Sequence, residues 1–259
     1  MVRTLLIRGM LVGLFAGLLV FGFARFLGEP AVDRAITFES AMDEAKAKSE
    51  AARGMPGMEE PELVSRRVQA SIGLLTGVAV YGAALGGLFA LVFAVAHGRM
   101  GRLGPRAVAA LLAAGAFVAL YLVPSLKYPA SPPSVGEPAT IGMRTGLFFL
   151  MLLISVVAMT VAVMVRQRLA ARSDGWSATL IAGALYLAVV IVAALLLPAV
   201  NEVPEGFPAT VLWQFRVTSL GMQAILWTTI GLLFGVLTER AMAANFRFQP
   251  GGRPQPVVR

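Results

Sequence analysis

The sequence has no cysteine, one histidine and only 14% charged residues among 259. Without cysteine, the chain can form neither disulfides nor thiolate metal sites, and it has no thiol chemistry. It also lacks the phosphate-binding loop GxxxxGK(S/T), the zinc motif HExxH and the nucleophile motif GxSxG. Nucleotide-driven transport by this chain and the common hydrolytic mechanisms therefore have no residues to support them. The sequence predicts a protein that is not an enzyme and that uses no cofactor.

Long apolar runs take up most of the chain. Hydrophobic residues make up 58% of it, and the mean hydropathy is +0.77. These values indicate an integral membrane protein, because a water-soluble domain of this composition would aggregate. A helix needs about 20 mostly apolar residues to cross a hydrocarbon core roughly 30 Å thick. The runs that approach this length are Leu5 to Leu27, Ile72 to Ala96, Ala107 to Val123, Leu147 to Val165, Ala178 to Leu197 and Leu220 to Leu237. We therefore predict an all-α membrane protein with six transmembrane helices, arranged as three helix hairpins.

Basic residues are distributed unevenly between the two sides of this arrangement. The side that holds both termini carries twelve arginines and two acidic residues, whereas the other side carries ten basic and twelve acidic residues. Lysine and arginine are enriched in cytoplasmic loops. Both termini are therefore predicted to be cytoplasmic, and the three longer connections to lie outside. This topology accounts for the net charge of +8, which leaves no reason to predict nucleic-acid binding.

The transmembrane domain is predicted to cover residues 1–240. Within it, residues 28–67 are predicted to form a long outer loop with an exposed helix at Ala35 to Ala52, because that stretch combines helix-forming residues with mixed charge. Residues 241–259 are predicted to form a basic, disordered cytoplasmic tail near anionic lipid headgroups.

The three outer connections share short sequence echoes. Pro-Ala-Thr followed by an arginine occurs in both Pro124 to Arg144 and Pro198 to Arg216. The quartet GEPA occurs at Gly28 to Ala31 and again at Gly136 to Ala139. Each of these segments is predicted to be an irregular connection between two apolar runs, as in a repeated helix hairpin. The connection at Pro198 to Arg216 is the best candidate for a functional surface, because a plain turn would not need its Pro, Asn, Glu and Arg residues.

Glycines four residues apart occur in several of the predicted spans. They are Gly9, Gly13 and Gly17, Gly73 and Gly77, Gly82 and Gly86, and Gly231 and Gly235. Glycine at this spacing lets two helix backbones approach closely in lipid. These positions are therefore predicted to pack one helix against another.

Oxygen-bearing residues near the predicted outer surface are the candidates for a cation site. The set is Glu29, Glu137, Asn201, Glu202 and Glu205. Oxygen ligands without cysteine or histidine bind hard or borderline divalent cations, and bind them weakly enough to release them. The alternative is that each glutamate pairs with an arginine and only braces a connection against its helix. The arginines available for that role are Arg25, Arg144 and Arg216.

Other chemistry is weakly represented. No acidic residue, lysine or histidine lies in the middle third of any predicted span, where proton relays and tight cation sites are usually found. His97, the single histidine, is predicted to cap the second span rather than to bind a metal. Met42, Met55 and Met58 could offer thioethers to Cu(I), but their loose spacing is attributed to composition.

Five stretches of the chain carry a family resemblance. They are FLGEPAVDRAITFE, ELVSRRVQASIGLLTGVAVYGAALGGLFALVFA, LKYPASPPSVGEPATIGMRT, LPAVNEVPEGFPATVLWQFRVTSLG and GLLFGVLTER. Together they resemble the cobalt transporter subunit CbtA family of bacterial inner-membrane proteins, from residue 1 to about Arg240. Members of that family often carry histidines in the first outer loop, where this chain has Met55, Met58 and a run of glutamates. The resemblance therefore implies weak metal capture by this loop, or capture by a partner.

The resemblance also implies a function and a set of site residues. It implies a multi-pass permease component of the bacterial inner membrane that takes up cobalt ions for cobalamin synthesis. It further implies a small one-span membrane partner with a histidine-rich end. The matching positions are Glu29 in the first connection, Lys127 and Glu137 in the second, and Asn201, Glu202, Glu205 and Arg216 in the third, with Arg144 in a supporting role. The alternative is a non-transporting scaffold or assembly subunit of a metal-uptake complex.

Overall fold

The computed structural model describes residues 2–53 and 64–247, and the described residues form helices and connections without any strand. Six helices in this part of the chain are long and apolar enough to cross a membrane. They are α1 (Val2–Ala51), α2 (Arg66–Ala96), α3 (Pro105–Lys127), α4 (Pro138–Ala170), α5 (Gly175–Leu196) and α6 (Ala209–Arg247). The prediction of an all-α protein with six membrane helices is confirmed.

Apolar side chains cover the outside of the bundle. Phe149 is 59% exposed, Leu153 is 58% exposed and Leu196 is 81% exposed. In water such a surface would drive aggregation, but in a bilayer these side chains face lipid tails of the same polarity. The fold is therefore that of a multi-pass membrane protein, held together by helix packing rather than by burial from water.

Glycine brings α1 and α2 into backbone contact. A Cβ built on Gly13 would overlap the carbonyl oxygen of Gly82, and one built on Gly9 would overlap the carbonyl oxygen of Gly86. Gly17 continues the same stripe against the backbone of Val78. The predicted role of these glycines is confirmed. By contrast, a Cβ built on Gly73 or Gly77 would meet no atom of another helix among the described residues, so the prediction is wrong for that pair.

The remaining glycine pair and the largest buried side chains join α3 and α6 to this helix pair. A Cβ on Gly231 would lie 2.5 Å from the Ala113 Cβ, and one on Gly235 would lie 3.1 Å from the Ala109 Cβ. The central core contains Phe93 of α2, Val108 of α3, and Ile230 and Phe234 of α6, all fully buried. Phe93 and Phe234 meet edge to face with ring centroids 5.1 Å apart. Four helices, α1, α2, α3 and α6, therefore share one core.

The helices α4 and α5 form a second packing unit. Their contact centres on Met151 of α4 and Tyr186 of α5, and the Ser155 and Tyr186 hydroxyls share a buried hydrogen bond of 2.9 Å. This pair contacts the other helices mainly through the second half of α3. Within the described residues, α5 packs against α4 and α6 packs against α3 and α1. The last two spans are consecutive in the chain, but among the described residues they do not pack closely against each other. The third predicted hairpin is therefore not a closely packed helix pair.

Two proline segments that were predicted to be irregular lie inside helices. The GEPA quartet, Gly28 to Ala31, is helical, and α1 continues through it to Ala51. Pro124 likewise lies within α3. A π-helical turn precedes each proline, at Ala24–Gly28 and at Phe117–Leu122. Proline removes one helical hydrogen bond and crowds the preceding turn, and the wider π-turn relieves that crowding. The prediction of irregular backbone is therefore wrong at both places.

Several predicted boundaries also shift. The exposed helix predicted at Ala35 to Ala52 starts at Glu29 and is continuous with the first span. The helix α6 begins at Ala209, so the predicted irregular segment up to Arg216 ends earlier. It also continues through Arg247, so residues 241–247 of the predicted disordered tail are helical. The rest of the tail, together with Met55, Met58 and the glutamates beside them, lies outside the described residues.

Candidate functional site

The polar connections meet at one end of the bundle. The backbone N–H of Glu137, between α3 and α4, donates to the Glu202 carboxylate, between α5 and α6, over 2.8 Å. Phe38, in the extension of α1, packs edge to face against Phe207, with ring centroids 5.1 Å apart. This end therefore gathers the connections that the sequence predicts to be functional. The short connections at residues 97–104 and 171–174 follow α2 and α4 at the opposite end.

A cavity of about 350 Å³ opens at this end, at the seam between the two packing units. Its walls come from α3, from the start of α4, from α6 and from the two connections that follow α3 and α5. The polar lining residues are Tyr121, Ser125, Tyr128, Ser131, Arg144, Thr145, Asn201, Glu202 and Arg216. Charged and hydroxyl groups here face a space large enough for a hydrated ion or a small ligand.

Among the residues that line the cavity, Glu202 supplies the carboxylate. It accepts hydrogen bonds from the Glu137 backbone N–H and from the Thr140 hydroxyl, the latter at 2.8 and 2.9 Å to its two oxygens. These hydrogen bonds and the nearby Arg144 guanidinium hold the pKa of Glu202 below its ordinary value, although partial burial opposes them. Glu202 is therefore ionised at neutral pH. It also ties the third connection to the start of α4, which is the bracing role weighed in the sequence analysis.

Arg144 forms an ion pair with Glu202 but donates no hydrogen bond to its carboxylate. Its Nε is 3.2 Å from the Glu202 Oε2, but this ion pair lacks hydrogen-bond alignment, so the buried Nε–H has no hydrogen-bond partner among the described residues. Another guanidinium nitrogen donates to the Glu137 carbonyl over 3.2 Å. The guanidinium passes so close to Gly136 that a Cβ there would overlap it, and Gly136 has a φ of +115°, which favours glycine. The chain thus reserves space for this cation next to the carboxylate.

The other side chains predicted for the site are arranged differently. Arg216 reaches the cavity from the second turn of α6, and its Nε–H donates to the Ala130 carbonyl over 3.3 Å. Asn201 lines the cavity beside Glu202. The carboxylates of Glu137 and Glu205 belong to exposed residues of the connections. Lys127 lies 5.9 Å from the Tyr128 ring centroid and does not line the cavity.

Glu29 belongs to a separate cluster. It is 7% exposed and forms a close ion pair with Arg66, which also contacts Asp33 at 3.1 Å. The partner is therefore Arg66 of α2 rather than Arg25, which the sequence analysis considered. Sequence reasoning missed Arg66, although Glu29 and Asp33 are one helical turn apart and face the first residues of the second span. Glu29 does not line the cavity.

The described residues of the cavity do not form a strong metal site. Within residues 2–53 and 64–247, no group of three or more His, Cys, Asp or Glu residues could hold a metal ion. The cavity instead offers the Glu202 carboxylate, the Asn201 amide and several hydroxyls, opposed by two guanidinium groups. His97 lies at the other end of the bundle, where it caps α2 and stacks on Phe93 with ring centroids 5.2 Å apart. Its predicted capping position is confirmed.

The fold and the cavity define a multi-pass helical membrane protein with a charged cavity at one end of its bundle. A family model described as "Probable cobalt transporter subunit (CbtA)" matches residues 2–239. The chain belongs to this family, and membership supports a role in cobalt uptake as a transporter subunit. The comparisons with curated proteins and with solved structures give no match.

Proposed function

We propose that the protein is an inner-membrane permease component for Co²⁺ uptake, which supplies cobalamin synthesis. In this proposal the cavity end faces outside, as the distribution of arginines predicts. Exposed Glu137 and Glu205 attract the incoming ion, and Glu202 with Asn201 receives it in the cavity. The observation that carries the proposal is an ionised carboxylate on the wall of an accessible cavity, paired with an arginine that is itself incompletely bonded.

Arg144 acts in this proposal as a tethered cation that Co²⁺ displaces. A carboxylate without a neighbouring cation would hold a divalent ion more tightly than one that is already paired. An arginine that competes for the same oxygens raises the energy of the metal-bound state relative to the free state. Because Arg144 also bonds the Glu137 carbonyl, it has an alternative acceptor when the metal arrives. The site would then bind weakly and release readily, which transport requires.

A partner is expected to supply the ligands that this chain lacks. The one histidine caps α2, at the end of the bundle opposite the cavity, and the chain has no thiolate. Imidazole binds first-row transition metals more tightly than isolated carboxylates do. We therefore propose a small one-span membrane partner whose histidine-rich end captures the ion and presents it to the cavity.

Metal uptake by isosteric variants tests the site. In cells without another cobalt-uptake system, Glu202→Gln is expected to lower cobalt accumulation per molecule of protein by about tenfold, equivalent to about 1.4 kcal/mol. Thr140→Val is the matched control, because it removes a hydrogen bond to Glu202 and leaves the carboxylate. Accumulation per molecule close to wild type is expected for this control. Wild-type uptake by Glu202→Gln would remove the site assignment.

Cysteine labelling tests the orientation. The chain has no native cysteine, so a single introduced thiol reports its own position. Glu205→Cys lies in the third connection and Ser173→Cys at the opposite end of the bundle, and both residues are exposed. A membrane-impermeant maleimide is expected to label Glu205→Cys in intact cells and to label Ser173→Cys only after lysis. The reverse pattern would place the cavity in the cytosol and overturn the proposal.

A non-transporting scaffold remains the second candidate, because one observation favours it. The Glu202 carboxylate already accepts three hydrogen-bond contacts and an ion pair, which is sufficient to explain it as a brace. In a scaffold, Glu202→Gln and Thr140→Val would lower uptake only in proportion to protein level. Purified protein in liposomes, with its partner, would also accumulate no cobalt.

A further inference from the structure

A second groove lies between α1 and α6 at the end of the bundle opposite the cavity. It has a volume of about 690 Å³ and is lined by apolar side chains of both helices, including Leu11, Phe15, Leu233 and Leu237. Leu11 is 61% exposed and Phe15 is 48% exposed. Since these helices span the membrane, this apolar part of the groove opens toward the hydrocarbon region. In a bilayer, lipid chains would contact this part of the groove.

Arginines stand at one end of the same groove. Arg3 and Arg8 both line it, and they lie at the beginning of α1, next to the membrane surface. Arg8 donates a hydrogen bond of 3.2 Å to the Thr238 hydroxyl, and Thr238 is fully buried. Arg240 follows Leu233 by seven residues on α6, which places it on the same helix face one turn beyond Leu237. The groove thus changes from apolar to strongly basic along its length.

The arginines of the groove form no ion pair with any described residue. Among the described residues, neither Arg3 nor Arg8 is within ion-pair distance of an acidic side chain. The nearest acidic residue along α6 is Glu239, which forms a close ion pair with Arg106 of α3. The hydrogen bond to Thr238 holds the Arg8 guanidinium at the groove, and its other N–H groups have no hydrogen-bond partner among the described residues. Guanidinium groups with free donors bind phosphate in a two-pronged geometry.

We propose that this groove binds one anionic phospholipid of the surrounding leaflet. The phosphate would contact Arg3 and Arg8, and an acyl chain would lie along Leu11, Phe15 and Leu233. A basic pocket between transmembrane helices, continuous with an apolar channel, matches both halves of such a lipid. A neutral lipid would fill the apolar part but leave the guanidinium groups without an anion. A free phosphate would satisfy the arginines but leave the channel unfilled.

Native mass spectrometry of the purified full-length protein tests this proposal. The wild type, released from nanodiscs of mixed phosphatidylglycerol and phosphatidylcholine, is expected to retain one phosphatidylglycerol. The variant Arg3→Gln/Arg8→Gln is expected to retain it about tenfold less often, because each arginine near the surface adds attraction for anionic lipid. The matched control is Arg168→Gln/Arg172→Gln, which removes two exposed arginines at the same end of the bundle, outside this groove. The control should retain lipid as the wild type does.

Two further variants separate lipid binding from folding. Arg3→Gln alone changes no hydrogen bond within the described residues, and it should lower retention while the melting temperature in detergent stays unchanged. Leu237→Trp keeps both arginines but fills the apolar channel, and it should also lower retention. Excess glycerol 3-phosphate should not displace the lipid. Equal retention of phosphatidylcholine, displacement by glycerol 3-phosphate, or unchanged retention by the arginine variants would overturn the proposal.

Discussion

Replacing Gly13 with alanine is expected to force α1 and α2 apart. The added Cβ would overlap the carbonyl oxygen of Gly82 and crowd the Cα of Gly86. Both are backbone atoms, so no side-chain rotation can make room for the methyl group. The two helices must separate instead, and the contacts along the whole glycine stripe weaken together. The change therefore acts on a shared interface rather than on one contact.

The magnitude follows from the dispersion energy of that interface. Each close pair of heavy atoms contributes about 0.1 to 0.2 kcal/mol, and a gap of about 0.5 to 1 Å removes a quarter to a half of that energy. For roughly 30 such pairs along the glycine stripe, the loss is about 1 to 3 kcal/mol. This range agrees with the typical cost of overpacking a well-packed core, about 1 to 3 kcal/mol. Alanine favours the helix over glycine, so the observed loss will be somewhat smaller than the packing term.

Unfolding in mixed detergent and SDS micelles, followed by circular dichroism, measures this free energy. Gly77→Ala is the matched control in α2, because in the described part of the chain a Cβ there has no neighbour within 4 Å. The control should be as stable as the wild type or more stable, since alanine reduces the backbone freedom of the unfolded chain. If Gly13→Ala were as stable as Gly77→Ala, the backbone contact between α1 and α2 would not hold in the membrane protein.

Two further outcomes are expected from hydrogen bonds described above. Tyr186→Phe leaves the buried Ser155 hydroxyl without its partner. The change should cost about 0.6 to 1.7 kcal/mol of unfolding free energy, from the average to the maximum measured for such bonds between membrane helices. No measurable loss in micelles would mean that the bond contributes nothing. The interactions that lower the pKa of Glu202 stabilise the fold fully when the pH is above 4.5, the ordinary pKa of the group. This stabilisation is lost as the pH falls through the lowered pKa. Measuring the unfolding free energy of wild type and Glu202→Gln across pH should therefore give a difference that shrinks only below about pH 4.5. A difference that disappears at higher pH would contradict the hydrogen bonds that Glu202 accepts from the Glu137 backbone and from Thr140.

The membrane helices were predictable because the bilayer imposes one strong constraint. A charged residue at the centre of a membrane helix costs about 2.5 to 3.5 kcal/mol, so apolar runs mark the spans closely. The helix ends were less predictable, since proline near the end of a run suggests a break. Here Pro30 and Pro124 are accommodated by the π-turns before them, and both helices continue. Nothing in the local sequence distinguishes this solution from a helix end.

Glycine spacing indicated close packing but not which partner each glycine meets. Gly13 and Gly77 belong to patterns of the same spacing, yet only Gly13 faces another backbone. The face of a helix that is covered depends on the neighbours present in three dimensions. Within the described residues, α3 packs with α6, over 80 residues later in the chain, rather than forming its main core contact with an adjacent span.

The candidate site was predictable in part. The pairing of Glu202 with an arginine was one of the two alternatives read from the sequence, and Arg144 is that arginine. Thr140 was not anticipated, because its role depends on how the third connection folds over the start of α4. Glu29 was grouped with the other outer carboxylates by its sequence motif. The continuous helix α1 instead carries it to Arg66, away from the cavity.

The position of α6 has a consequence for how the protein is made. The ribosome delivers α1 to α5 to the membrane before the helix that completes both the shared core and the cavity wall. During synthesis, Phe93 and Val108 lack their main partners, and Arg144 faces a cavity without Arg216. The nascent chain therefore passes through a stage in which the shared core and the cavity wall are incomplete. A chain truncated after α5 would keep the first five spans but would lack the helix that completes the shared core and the cavity wall.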